Sequence, residues 1–347
     1  MSFKRLDAED FIFSAESITA PAWSGYTPVL VNMNTSSIQQ SSGAGKYYVS
    51  VYQTGSSNAS AEVQFDVAFG DRNGRGSKFF TSGISASSTS TIFGQYQNLV
   101  LGDENSNFIF GDVSQSAFYV LSIDRSRYKE KLLPGSFNLR IKGPSEEEDN
   151  TLFLTDNSGD ITVQNFTEAG RVYQIVSGSN GRAVANNVST NNGVPKGTTV
   201  SGSYGWFLPD IGTIILNAPA LDLLPSDGGV FLSTDYATDT HYNNPSKLIG
   251  RISESAYFQL NSEETVTSDY VFIRARNAEF NYSENPSFIS GSQGVVIYDQ
   301  FINNPQTYVT TVGLYNDNND LLAVAKLSRP LKKDFTKEAL IRVKLDF

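Results

Sequence analysis

Apolar and polar positions alternate with period two along much of this chain. The alternation is clear in Lys46–Tyr52, in Ala61–Phe69 and in the final run, Ala339–Phe347. Successive side chains of a strand point to opposite faces, so each run predicts a strand with one buried face. Clusters of Gly, Ser, Thr and Asn separate the runs about every ten residues, a spacing typical of an all-β sandwich or barrel.

The C-terminal part of the chain predicts a β-hairpin followed by a terminal strand. Tyr308–Tyr315 and Leu321–Leu327 flank five turn-forming residues, Asn316–Asp320, which is a hairpin pattern. The period of two predicts partial or full burial of Val312, Leu314, Leu322, Val324, Ile341, Val343 and Leu345. Arg342, Lys344 and Asp346 then point the other way, toward solvent or a partner chain.

Two segments have the longer period of a helix. Lys247–Phe258 places Leu248, Ile249, Ile252 and Ala256 on one side, with Tyr257 as a further candidate, after a cap at Asn244 or Ser246. Thr91–Val100 predicts a second, shorter helix. We therefore expect a mainly all-β protein of several β-sandwich or barrel domains, with one or two short helices.

The length of 347 residues allows two or three domains. Gly143–Asn150 joins turn residues to a run of four acids, and acids in a run repel one another and stay solvated. We interpret 143–150 as an acidic linker between an N-terminal β-rich domain, 1–142, and a middle β domain with a long polar loop, 151–235. Residues 236–347 form the C-terminal β domain. The alternative for 143–150 is a loop between two strands.

Composition makes several classes of partner improbable. The formal net charge of −10 argues against a general nucleic-acid binder, because phosphate-backbone binding needs a basic surface. No apolar run approaches the roughly 18 residues of a membrane span, and the first residues lack the apolar region of a signal peptide. We therefore expect neither nucleic acid nor membrane as a partner.

The residues that carry most catalytic chemistry are scarce. There is no cysteine and one histidine, His241, in a polar stretch. A Ser-His-Asp triad would have to use this histidine, and a metal cluster within one chain would lack the Cys and His ligands that it usually needs. We expect no enzyme activity, no metal and no cofactor. The many carboxylates, among them Asp103, Asp156 and Asp160, leave open a glycosidase, which needs two of them across a cleft.

Three groups of residues are candidate contacts. The basic cluster Arg125, Arg127, Lys129 and Lys131 follows a predicted strand. It predicts either a docking patch for an acidic partner or a turn whose charges pair internally. Arg342 and Lys344 are further candidate assembly contacts. Trp206 and Tyr204 offer aromatic faces on which a sugar could stack.

Three stretches resemble proteins of bacteriophage particles. Thr310–Lys326 resembles the "IGLYD…G.LLAVAK" hairpin of tail-fibre and baseplate proteins, with Asp320 where that pattern has glycine. Ser126–Leu139 and Ser328–Phe347 are similar to segments of virion structural proteins of large contractile-tailed phages, including those of cyanobacteria.

The resemblance implies a non-enzymatic structural protein of the virion, in the tail or baseplate, assembled in the host cytoplasm. Its expected partners are other tail and baseplate proteins and copies of itself in a symmetric assembly. Two alternatives stay open: a receptor- or glycan-binding tail protein, and a tail-associated glycosidase.

Overall fold

The computed structural model describes residues 3–36, 48–77, 87–111, 113–143, 151–184, 190–191, 194–195, 204–236, 243–283, 285–291 and 294–346. Strands account for 46% of the structure and helices for 17%, which confirms the mainly all-β fold class. The chain divides into two compact units. The central unit is Ile18–Glu264, and the terminal unit combines Met1–Ser17 with Thr265–Phe347.

The elements are numbered in chain order. The strands are β1 (Phe11–Pro21), β2 (Val29–Leu30), β3 (Asn34–Ser36), β4 (Tyr48–Tyr52), β5 (Val63–Asp71), β6 (Phe108–Phe110), β7 (Val113–Gln115), β8 (Ala117–Ile123), β9 (Lys131–Leu132), β10 (Asn138–Lys142), β11 (Thr151–Asp156), β12 (Asn165–Thr167), β13 (Gly170–Ser179), β14 (Arg182–Ala183), β15 (Thr190–Asn191), β16 (Val194–Pro195), β17 (Gly205–Leu208), β18 (Thr213–Asn217), β19 (Phe258–Gln259), β20 (Asn261–Ala275), β21 (Ile289–Ser290), β22 (Val295–Val296), β23 (Gln306–Tyr315), β24 (Leu321–Asp334) and β25 (Ala339–Asp346). The helices are α1 (Ser88–Leu101), α2 (Ala218–Asp222), α3 (Asn244–Ser255) and α4 (Asp299–Asn303).

One large antiparallel sheet organises the central unit. Its strand order is β2-β19-β10-β11-β13-β17-β18-β8-β5-β4-β3, with β12 and β14 paired to β13. Helix α3 packs against β10 and also against β5 and β4. Since β10 and β5 are far apart in the strand order, a flat sheet would not let one short helix touch both. The sheet therefore curls around α3.

The two faces of this sheet carry separate hydrophobic cores. On β8, Tyr119 and Leu121 belong to the core on the α3 side, whereas Phe118 and Val120 belong to the core beneath α1. Burial on both faces explains why the sequence of β8 is a continuous apolar run rather than an alternation.

Both predicted helices form, with different ends. α1 begins after Ser87, whose side chain accepts a hydrogen bond from the Ser90 amide, and ends at Gly102, where φ is 68°. This left-handed conformation suits glycine. α3 begins earlier than predicted, with Asn243 as its cap, and buries Leu248, Ile249 and Ile252, as the spacing predicted. Ala256, predicted on the same face, is the C-cap residue and is exposed.

The predicted domain boundaries differ from the observed units. β10 and β11 flank the acidic segment and pair residue by residue, from Lys142 opposite Thr151 to Asn138 opposite Thr155. The segment 143–150 therefore connects neighbouring strands of one sheet, as in the loop alternative, although residues 144–150 lie outside the described part. The boundary at 235/236 also falls inside the central unit. A charge run reports solvation and contains no information about long-range strand pairing.

The terminal unit contains the predicted hairpin and terminal strand. β23 and β24 pair with each other around the turn 316–320, and β25 pairs with β20 over eight residue pairs. Val343 is buried and Val312, Leu314, Ile341 and Leu345 are half-buried, as predicted. The burial predicted for Leu322 and Val324 is wrong: they are 68% and 59% exposed. Ala323 and Ala325, opposite Leu314 and Val312, occupy the half-buried face instead.

Candidate assembly surface

The terminal unit has a small core within its described residues. Val271 of β20 and Val343 of β25 lie directly opposite each other and are 2% and 6% exposed. Ala275 and Ala339 are the other buried apolar side chains of the described part of this unit. Small units with so little buried apolar surface usually need a partner, a metal or disulfides for stability.

Strand β1 presents apolar side chains on both of its faces. Phe11, Ile12 and Phe13 are consecutive and are 38%, 52% and 72% exposed. Consecutive residues of a strand point to opposite faces, so the described chain covers neither face of this part of β1 completely. A two-sided apolar strand is unusual at a solvent boundary, because antiparallel strands commonly keep one polar face.

The hairpin β23–β24 shows the same property. Leu321, Leu322 and Val324 are exposed, as are Tyr308 and Tyr315. Within the described residues, β23 and β24 pair only with each other. Their outer edges thus offer free backbone N–H and C=O groups that another strand could pair with. We call the exposed apolar residues of β1 and of this hairpin the assembly surface.

The basic cluster predicted as a docking patch is paired within the central unit. Arg127 lies 2.8 Å from Glu62, and Lys129 lies 2.6 Å from Glu264, which raises the pKa of Lys129 by hydrogen bonding. Lys131 lies 3.8 Å from Glu263. Arg125 donates to the carbonyl oxygen of Tyr128 and lies over its ring. The alternative prediction placed the pairing inside the turn itself, whereas the structure pairs Arg127, Lys129 and Lys131 with carboxylates of other segments; within the turn, Lys131 also lies 3.8 Å from Glu130.

Arg342 and Lys344 lie on the exposed face of β25, opposite Val343. The Lys344 ammonium is 3.0 Å from Asp346 and 3.9 Å from Glu16. The Arg342 guanidinium lies over the ring of Tyr270, 5.4 Å from its centroid. Both side chains are exposed, so they stay candidate contacts of the terminal unit.

The two aromatic residues predicted as sugar contacts, Trp206 and Tyr204, are buried. Trp206 is 9% exposed and packs against Phe108 and Phe110, with ring centroids 5.6 and 5.5 Å away. Tyr204 is 2% exposed, its hydroxyl donates to the carbonyl of Gly228, and burial raises its pKa. β17 lies inside the large sheet, so its short apolar run is buried on both faces.

The carboxylates considered for glycosidase chemistry have structural partners. Asp156 is buried and accepts from the amides of Gly135 and Ser158, and burial is the main cause of its raised pKa. Asp160 accepts from the Ala183 amide, and Asp103 accepts from the Asn105 amide. A carboxylate that accepts hydrogen bonds from backbone amides serves to anchor a turn or loop.

In the described ranges, no group of three or more His, Cys, Asp or Glu side chains is arranged to hold a metal ion. His241 lies outside these ranges. Nor does the described part contain a helix with the length and apolarity to cross a membrane. Comparison with protein-family models, with curated proteins and with solved structures finds no match to this chain.

Sequence reasoning missed the apolar strand β1. The signal was present as Phe11-Ile-Phe13, three successive large apolar residues in a segment otherwise rich in acids. A short run of this kind fits a strand buried on both faces. The run therefore predicts a strand whose two faces both pack against other groups, but it does not identify those groups.

Proposed function

We propose that this chain is a non-enzymatic structural component of a bacteriophage virion, in the tail or baseplate. It acts through contacts with copies of itself and with other tail proteins. The observation that carries the proposal is the assembly surface: β1 and the β23–β24 hairpin expose large apolar side chains that the described chain leaves 38–72% exposed. Apolar patches of this kind mark protein–protein interfaces.

The resemblance to phage proteins supports the same part of the molecule. Two of the three resembling stretches, Thr310–Lys326 and Ser328–Phe347, lie in the terminal unit. The first of them includes Leu321, Leu322 and Val324 of the assembly surface. A hairpin that recurs in tail proteins and presents apolar side chains outward fits a role in subunit contacts.

The pattern of burial favours an obligate assembly over a transient one. Obligate interfaces resemble a domain core cut in half, and the stability of such a subunit depends on its partners. The terminal unit, with Val271 and Val343 as its large buried apolar side chains, is expected to gain most of its apolar burial from neighbouring chains.

The decisive test is to look for the protein in purified phage particles. We expect mass spectrometry of purified virions to detect it in a fixed copy number, and electron microscopy to place it in the tail or baseplate. Its absence from the particles would contradict the proposal.

A second test addresses the assembly surface directly. The double substitution of Leu322→Ser with Val324→Ser removes two exposed side chains, each worth roughly 1.5–3 kcal/mol when buried in an interface. We expect the purified variant to form at least tenfold less oligomer by analytical ultracentrifugation, and to enter particles poorly. The matched control replaces Leu99 and Val163, exposed residues of the central unit, with serine and is expected to assemble normally. Equal assembly of both variants would exclude this surface.

A further inference from the structure

A cavity of about 280 Å³ lies on the central unit where β10, β11 and β13 run side by side. Leu139 and Ile141 of β10 are buried in the core on the α3 side, so Arg140 between them points to the opposite face. Arg140, Phe153, Tyr257 and Asn180 are among the lining residues. We call it the Arg140 cavity.

The backbone and the guanidinium of Arg140 are both held in place. Its amide donates to the carbonyl of Tyr257, 3.2 Å away, and its carbonyl accepts from the Ser255 hydroxyl at 2.6 Å. The guanidinium carbon is 4.0 Å from the ring centroid of Tyr257 and 4.9 Å from that of Phe153. Cation–π contacts with two rings fix the plane of the guanidinium and provide no hydrogen-bond acceptor for its N–H groups.

These N–H groups lack an anionic partner among the described residues. The Nε of Arg140 is buried and has no hydrogen-bond acceptor there. Other half-buried arginines of this chain are paired: Arg171 with Asp210 at 2.6 Å and Arg75 with Asp71 at 2.8 Å. Buried donors in folded proteins are nearly always satisfied, and the geometry of a guanidinium fork matches a carboxylate. An arginine with a buried, unsatisfied Nε and no carboxylate partner among the described residues, beside an open cavity, therefore favours a bound anion.

The rim of the cavity adds groups that recognise hydroxyls. Ser179 and Asn180 are exposed and line it. The Asn180 amide oxygen accepts from Asn138 Nδ2 at 3.1 Å and the Asn180 backbone N–H donates to Asn138 Oδ1 at 2.7 Å. This pairing fixes the side chain of Asn180 with its NH₂ group as a remaining donor. The volume is at the lower end for ligand pockets, which suits a single sugar-sized ring.

We propose that the Arg140 cavity binds a small polyhydroxylated carboxylic acid, a uronic acid, with the carboxylate on the Arg140 guanidinium and hydroxyls on Ser179 and Asn180. The site lies in the central unit and does not depend on the proposed assembly role. It is separate from Trp206 and Tyr204, whose burial excludes them as sugar contacts.

The test is a titration of the full-length protein with sodium glucuronate, followed by isothermal titration calorimetry or saturation-transfer NMR. Glucose serves as the neutral comparison and inorganic phosphate as a second anion. We expect glucuronate to bind at least tenfold more tightly than either. No binding of glucuronate, equal binding of glucose, or equal or tighter binding of phosphate would overturn the proposal.

Substitutions then locate the site. Arg140→Met keeps an unbranched apolar stem and removes the fork, so we expect at least tenfold weaker binding of glucuronate. Arg72→Met, at an exposed arginine of the same unit, is the control and is expected to bind normally. If circular dichroism shows that Arg140→Met does not fold, the Asn180→Gly variant tests the site instead. Glycine accepts the φ of 52° at this position, and the loss of the amide should weaken binding severalfold. Unchanged binding in a folded variant would exclude the cavity.

Discussion

Phe65 and Phe258 lie in edge-to-face contact, with ring centroids 5.4 Å apart, although they belong to distant strands of one sheet. β5 and β19 are seven positions apart in the strand order. At about 4.8 Å per strand, a flat sheet would separate them by roughly 34 Å. The contact therefore requires the sheet to curl until strands near its two ends meet. The two rings pack where these strands meet, and we call this contact the closure of the sheet.

Phe258→Ala tests this closure. The ring is fully buried and also contacts Trp23 and Phe137, so its loss leaves a cavity that strands from both ends of the sheet must line. We expect the free energy of unfolding to fall by about 3–5 kcal/mol. Denaturant titration followed by tryptophan fluorescence measures it, since both tryptophans of the chain, Trp23 and Trp206, lie in the central unit.

The matched control is Phe166→Ala on β12. Phe166 is 69% exposed, so its truncation is expected to change the free energy of unfolding by less than about 0.5 kcal/mol. Similar losses for Phe258→Ala and Phe166→Ala would mean that the ring contact does not hold the sheet closed.

The local features of this fold are predictable from sequence. The hairpin β23–β24 follows from five turn residues between two apolar runs, and β25 follows from alternation in Ala339–Phe347. These patterns need only neighbours along the chain. The predicted domain division differs from the two compact units because a division depends on which strands pair, and the pairing of β10 with β11 joins segments that composition had separated.

The phase of β24 shows a different limit. Its sequence places large residues at Leu322 and Val324 and alanines at 323 and 325, so alternation alone predicts that the large residues face the core. In the structure they face outward. A pattern identifies an apolar face but cannot tell a core from an interface with another chain. For the same reason, the sequence could not show that Trp206 is buried in the core or that β1 exposes apolar side chains on both faces.

The Arg140 cavity lay beyond sequence reasoning for another reason. Arg140, Phe153 and Tyr257 come together through pairing of β10 with β11 and through a bond from Arg140 to the residue before β19. No motif spacing encodes this arrangement. The basic residues that the sequence did single out, from Arg125 to Lys131, are paired by carboxylates from other segments, such as Glu62.

Asp222 gives a prediction about pH. It accepts hydrogen bonds from the amide and hydroxyl of Thr234, both at 2.7 Å, and from the Tyr236 hydroxyl at 3.2 Å. Burial nevertheless raises the pKa of Asp222. A raised folded-state pKa means that the folded protein binds the proton more tightly, so this contribution to stability is present below the unfolded pKa of about 3.9 and is lost as pH rises through the folded pKa.

We therefore compare the wild type with Asp222→Asn, which cannot ionise. The difference in free energy of unfolding, wild type minus variant, should decrease as the pH rises from 4 to 7. Denaturant titrations at each pH measure it. Asp103→Asn is the control: hydrogen bonds from Asn105 and Ser106 lower the pKa of the exposed Asp103, so its difference should stay nearly constant from pH 4 to 7 and fall only below about pH 4. A difference for Asp222→Asn that rises with pH would contradict the assignment.

Lys333 organises a loop of the terminal unit. Its side chain is fully buried, and its ammonium donates to the Asn277 carbonyl at 3.0 Å and to Asn281 Oδ1 at 2.8 Å. Lys333→Met keeps the unbranched stem and removes the donors. We expect faster hydrogen exchange at the amides of 277–281, measured by mass spectrometry. Lys332→Met, at an exposed neighbour, should leave exchange unchanged. Equal exchange in the wild type and Lys333→Met would mean that the ammonium does not hold the loop.

Removal of β25 tests the terminal unit as a whole. Deletion of residues 339–347 takes away the partner of β20 from Ser268 to Ala275 and removes Val343 from the small core. It leaves one edge of β20 unpaired, which is an aggregation hazard. We expect the truncated protein to aggregate by light scattering and to be excluded from particles. The tryptophan emission of the central unit should stay as in the wild type, which separates a local defect from global unfolding.

Deletion of residues 346–347 alone, which keeps Val343 and most of the pairing, is the control and should assemble. A soluble 339–347 deletion that still entered particles would show that β25 is dispensable for assembly, although it belongs to the same sheet as β1 of the assembly surface.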